Sequence, residues 1–161
     1  MKGKNKFFMI LILGLLSAIA FSIDMYLPAF PSIAADLHTT VAHVGLSLSS
    51  FFIGISFGQL LYGPLLDRFG RKPPLYVGLS VYLLASISCA LCTSADVLIA
   101  LRLLQALGGC AGMVAARAMV RDIFPVHENA KIFSLLMLVV GVSPIIAPTL
   151  GSYVTSAFGW H

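Results

Sequence analysis

Charge is what this sequence has least of. Asp, Glu, Lys and Arg make up 10% of its 161 residues, against roughly 25% in a typical soluble chain. So few charges do not cover the surface of a water-soluble fold, and a soluble domain is excluded although the length would suit one. Cysteine is equally scarce. Cys89, Cys92 and Cys110 all fall inside apolar segments, so a disulfide scaffold is excluded. The C-x-x-C pair has no His, Asp or Glu beside it to make a zinc or redox motif, and its members read as small helix-packing residues. Nucleophile–base pairs, phosphate loops and metal-ligand clusters are missing too, which argues against an enzyme. What the chain does have is apolar side chains, 59% of the total, with a mean hydropathy of +0.99. Disorder and collagen-like repeats are thereby excluded, and a polytopic membrane protein remains.

The apolar residues form five runs: about 7–35, 44–66, 75–92, 97–120 and 132–158. None alternates as a barrel strand does, so the expected fold class is all-α, a membrane bundle of five transmembrane helices joined by short linkers. The formal net charge is +4, but its distribution speaks for topology rather than for nucleic acid. With a cytoplasmic N-terminus, Lys2, Lys4, Lys6, Arg68, Arg71, Lys72, Arg117, Arg121 and Lys131 all lie on or near that side, and the opposite loops hold no Lys or Arg. The three lysines, the apolar stretch and Ala18-Ile19-Ala20 also look like a signal peptide. The apolar character continues past Ala20 to Pro31, and four further runs follow, which favours a retained first span. His38, His43 and Asp36 fall near an outer loop and are expected to be solvated.

The clearest motif follows span two: Gly63-Pro-Leu-Leu-Asp67-Arg68-Phe69-Gly70-Arg71-Lys72. A charged turn with a glycine bend is common; this full order is not. Gly70 permits a sharp return, Asp67 is at a helix end near the start of the next helix, and Arg71 has the fork to hold two carboxylates. Asp122, at the cytoplasmic end of span four, is the expected second one. These residues form a candidate cytoplasmic gate, with a topology-setting charged loop as the plainer reading.

Here the chain resembles the major facilitator superfamily, whose loop between helices two and three carries this pattern. Arg102-Leu-Leu-Gln105 on span four resembles the family's second motif, with Ala106 where glycine is usual. Gly141, Pro144, Ala147, Pro148 and Gly151 on span five resemble its antiporter motif, less closely because Ala147 and Ser152 replace glycines. Ser22-Ile-Asp24-Met25-Tyr26-Leu-Pro28 on span one is similar to the Bcr/CflA drug-resistance branch. The resemblance implies twelve spans in two halves, so that this chain would be an amino-terminal piece, inactive alone, lacking the carboxy-terminal helices as its partner. It further implies alternating access in the bacterial inner membrane, a drug-like small-molecule substrate and a proton gradient as energy source, with no cofactor, metal or nucleic acid. Direction is not written in these residues. The rival reading is a self-standing small membrane protein that modulates a full-length transporter.

Two charges fall well inside spans. At about 1.5 Å per residue, Asp24 is roughly 25 Å from Phe7 and Arg102 roughly 9 Å inward from Asp96, so both belong to the outer half. A charge there costs about 2.5–3.5 kcal/mol on insertion scales and is a functional candidate by default. The expectation is a pair in which Asp24 titrates and Arg102 tunes it; a structural salt bridge between spans one and four is the alternative. Met25, Tyr26, Gln59 and Gln105 are candidates for lining a substrate cavity, and Gly54 and Gly58 for close helix packing.

Overall fold

The computed structural model describes residues 22–123 and 125–159. Among them every regular element is helical. A 3-10 turn at Leu27–Ala29 leads into α1 (Phe30–Asp36), followed by α2 (Val41–Phe69), α3 (Lys72–Ala90), α4 (Ala95–Ile123) and α5 (Val126–Phe158). Helices α2, α3 and α4 are long and apolar enough to cross a membrane. Even α3, with 19 residues, reaches about 28 Å at 1.5 Å per residue, close to the thickness of the hydrocarbon core. The fold class is an all-α membrane bundle. The amino-terminal lysines, residues 7–21 of the first expected span, Ala18 to Ala20, and Trp160 and His161 lie outside the described residues.

Helix ends run past the apolar stretches because backbone hydrogen bonding continues into the interface. α2 begins where the Thr40 side chain accepts from the His43 N–H, a cap for an otherwise open first turn. It ends at Gly70, whose φ of +81° and ψ of 172° lie in a region essentially reserved for glycine. Replacing Gly70 by Ala should therefore lower stability by about 1–3 kcal/mol, read as an earlier midpoint in detergent unfolding of the purified chain; an unchanged midpoint would show that the turn relaxes. The first expected span is not one smooth helix where it is described. Its helical stretch stops at Asp24, turns at Met25 and Tyr26, and resumes as the 3-10 turn. Pro28 explains the break: it lacks an N–H and disfavours helical geometry just before it.

Helix α4 is the centre of the bundle, packed along α2 on one side and α3 on the other. Its small residues make this possible: Cys110, Ala111, Ala115 and Ala116 are fully buried. Glycines let the partner helices close in. A Cβ on Gly54 would sit 2.7 Å from the Ala106 Cβ, and one on Gly58 2.7 Å from that of Cys110. Along the α3–α4 seam, Gly78 faces Ala111 and the Gly108 carbonyl. Outside, Phe57, Leu60, Leu84 and Ile145 are exposed, a surface suited to lipid rather than to water. Helix α5 packs on the 3-10 turn and more lightly on α4.

Candidate functional site

The break in the first span sets up a site near the amino-terminal end of α4. It swings Tyr26 inward, where the ring is buried and the hydroxyl bonds Ser47 Oγ on α2 at 2.8 Å. Phe30 meets the same ring edge-on. Over the face of Tyr26 lies the Arg102 guanidinium, 3.4 Å from the ring centroid. Arg102 projects from the second turn of α4 and is only 9% exposed. Its Nη1 donates to Gln105 Oε1 at 3.1 Å, and Gln105 Nε2 donates to Ser86 Oγ on α3 at 2.7 Å. The remaining hydrogen of Ser86 goes to the Tyr82 carbonyl, and Tyr82 Oη is bonded to Ser22. A polar chain thus crosses from α4 through α3 to the first span.

One donor is left over. Arg102 Nε is buried and has no hydrogen-bond partner among the described residues. The contacts that Arg102 does make offset part of its desolvation. A desolvated cation–π contact contributes about 2 kcal/mol and a hydrogen bond to a charged group about 1.5–3 kcal/mol. They supply no negative charge.

The sequence led to an expected Asp24–Arg102 ion pair. Among the described residues it is not formed. Asp24 instead accepts from Ser143 Oγ of α5 at 2.8 Å, while Arg102 stacks on Tyr26. The helix break explains the separation: it ends the helical run at Asp24 and puts the Tyr26 ring against the guanidinium. Ser143 is itself buried. The same face of α5 carries Ala147, buried, and Gly151, whose hydrogen abuts the Met25 backbone. Gly141 and Pro144 are exposed and Pro148 is half-buried, so only part of the antiporter-like segment faces the first span.

Two cavities flank Arg102. One, of about 230 Å³, is lined by Ser22, Met25, Tyr26, Gln105, Gly151 and Thr155 among others. A second, of about 220 Å³, is bounded by Tyr26, Ser86, Cys89, Leu98, Arg102 and Gln105. Met25, Tyr26 and Gln105 are therefore cavity residues. Gln59 is not: it is exposed on α2, because its neighbour Gly58 takes the position facing α4 and the next residue turns about 100° away.

At the other end of the bundle, Arg71 holds two carboxylates. Nη1 donates to Asp67 Oδ1 at 3.0 Å, Nε to Asp122 Oδ2 at 2.9 Å and Nη2 to Asp122 Oδ1 at 3.5 Å. The hydrogen bond to Asp122 is the main cause that raises the Arg71 guanidinium above its ordinary pKa. Asp67, Asp122, Gly63, Arg117 and Arg121 surround a cavity of about 350 Å³. Arg68 leans on the Phe69 ring, and Lys72 is exposed at the start of α3. At the opposite end, His43, expected to be solvated, reaches Asp96 at 3.0 Å and so ties α2 to the start of α4.

Residues 10–161 match the family model of the Major Facilitator Superfamily. The chain belongs to this superfamily. It is thus a multi-pass membrane protein of a transporter family. It is 41% identical over 99% of its length to an uncharacterized MFS-type transporter, YdgK, of Bacillus subtilis. It is 40% identical over 98% of its length to a bicyclomycin resistance protein homolog of Haemophilus influenzae, and 42% identical over 86% to a chloramphenicol resistance protein of Pseudomonas aeruginosa. The chain spans 40% of the length of each of the first two relatives and 33% of the third. Within this superfamily member, sequence reasoning missed Ser47, Ser86 and Ser143. A serine in an apolar helix commonly bonds its own backbone, as Ser56 does, so nothing in the sequence separates the three from the rest.

Proposed function

We propose that the chain is the amino-terminal part of a proton-coupled exporter of drug-like amphipathic small molecules. It works by alternating access in the bacterial inner membrane, with its N-terminus cytoplasmic. The observation that carries this reading is the polar constellation in the outer half of an otherwise apolar bundle: Asp24 held by Ser143, and Arg102 beside two cavities. Intramembrane charges are costly and mark ion or substrate paths. The resistance proteins among the relatives support export of drug-like compounds, and their greater length supports a fold completed by further helices. Asp24 is the coupling carboxylate. Arg102 tunes it at a distance rather than through a direct pair.

The test is a chimera in which this chain replaces its matching segment in the Bacillus subtilis relative. Expressed in a drug-sensitive host, the chimera should export a fluorescent amphipathic dye in a protonophore-sensitive manner, and the chain by itself should not. Efflux by the chain by itself, or none by a stably inserted chimera, would count against this reading.

The cluster of Arg71, Asp67 and Asp122 ties the cytoplasmic ends of α2 and α4 and favours the outward-facing state. Exposed ion pairs contribute about 0.2–1 kcal/mol each, so a single loss shifts the conformational balance by a factor of about 1.5–5. In the chimera, Asp67→Asn should therefore slow efflux a few-fold at normal membrane levels. An unchanged rate would remove the gating role and leave a topology-setting loop.

A further inference from the structure

We propose that Arg102 anchors an anion subsite, and that the ligand it takes is the carboxylate of a small amphipathic acid. The inference rests on the transporter reading and names the chemistry of what the cavities receive. Arg102 is nine-tenths buried, and its Nε donor has no partner among the described residues. Together with Tyr26 it lines both cavities, so a molecule in either one lies against the Arg102 side chain. A neutral acceptor already serves Nη1, the Gln105 carbonyl oxygen. The outstanding requirement is for formal negative charge at a buried cation.

The chain's own acids do not meet that requirement. It has six. Asp67 and Asp122 are held by Arg71 at the far end of α4. Asp96 is exposed and takes His43. Asp36 is exposed at the end of α1, and Glu128 is in the first turn of α5, which follows the opposite end of α4 from Arg102. Asp24 accepts from Ser143 and makes no ion pair with Arg102 among the described residues. Residues 1–21 contain no Asp or Glu. None of these acids is placed on Arg102 among the described residues, and the anion assigned to it here is that of a bound ligand.

The geometry selects its type. Tyr26 covers one face of the guanidinium, so an anion approaches in plane, along the edge that carries Nε. A planar carboxylate suits that edge. Met25, Ala29 and Val154 in one cavity and Leu98 and Ala90 in the other give the ligand an apolar body to rest against.

The experiment uses the chain in zwitterionic nanodiscs, with benzoate as probe and benzamide as its neutral isostere. Benzoate should bind at least about tenfold more tightly than benzamide, the order expected of one charge-assisted bond in a buried site. Arg102→Gln should abolish that preference, and Arg102→Lys should keep part of it. Because Arg102→Gln can fail to fold, the unmodified chain carries a second readout: 15N-labelled arginine. Among the five arginines, one Nε–H resonance should move downfield with benzoate and stay still with benzamide. Equal binding of the two probes, a preference that survives in folded Arg102→Gln, or five static Nε–H resonances would each overturn the proposal. Dye efflux by the chimera without benzoate preference removes the anion subsite only; benzoate preference without efflux removes the transport reading only.

Discussion

Asp24→Asn in the chimera should bring proton-driven efflux down to the level of cells that lack the protein. The substitution removes a charge and a titratable proton while conserving shape. Asn still presents an oxygen to the Ser143 hydroxyl, which donates to Asp24 at 2.8 Å. The contact between the first span and α5 is therefore kept, and a purely structural role for Asp24 would leave transport nearly unchanged. If Asp24 carries the coupled proton, substrate binding survives, its pH dependence disappears, and the energised step is lost. Efflux and ligand binding measured between pH 6 and 8 separate these outcomes. Exchange of substrate for protons at the parental rate in Asp24→Asn would rule out Asp24 as the coupling group.

The second large effect lies in packing. Gly108→Val should leave little folded protein. A Cβ at Gly108 would sit 2.5 Å from the Tyr82 backbone nitrogen and 2.6 Å from the Gly78 carbonyl oxygen. Both are main-chain atoms, so no side chain can rotate away and α3 must move off α4. Overpacking of this kind costs about 3 kcal/mol, a large fraction of the stability of most domains. Gly63→Ala is the matched control, since a Cβ there meets nothing within 4 Å. SDS-titrated unfolding of the purified chain should show a much earlier midpoint for Gly108→Val and none of that shift for Gly63→Ala. Equal midpoints would mean that the α3–α4 seam is looser than its geometry.

The two ends of the molecule were unequally legible in the sequence. The Asp67–Arg71 cluster could be read because its parts are close in sequence and obey simple rules: a glycine that allows a positive φ, a forked cation, a carboxylate at a helix end. Asp122 followed from topology alone, since span four returns to the same side. The helices were legible for the same kind of reason, as an apolar run of about 20 residues has few alternatives in a membrane. The site around Arg102 was harder. Depth along each span put Asp24 and Arg102 at similar levels, but depth does not give azimuth, and Pro28 changed the azimuth by breaking the first span. The facing of Gln59, exposed on α2, could not be read for want of the same angle. Serines supply most of the polar links, and a serine in an apolar run carries no mark of whether it bonds its own helix or a neighbour.

The bond between Ser143 and Asp24 also has a consequence in time. Its partners are 119 residues apart, and synthesis proceeds at about 5–20 residues per second. The ribosome therefore needs about 6–24 s after making Asp24 to reach its hydroxyl partner. Arg102 is born into a different situation. Tyr26, Phe51 and Ser86, the groups that stack on it or reach it through Gln105, are all translated before it. The nascent chain delivers its buried cation to stacking partners already made, and leaves its half-buried carboxylate to wait for α5.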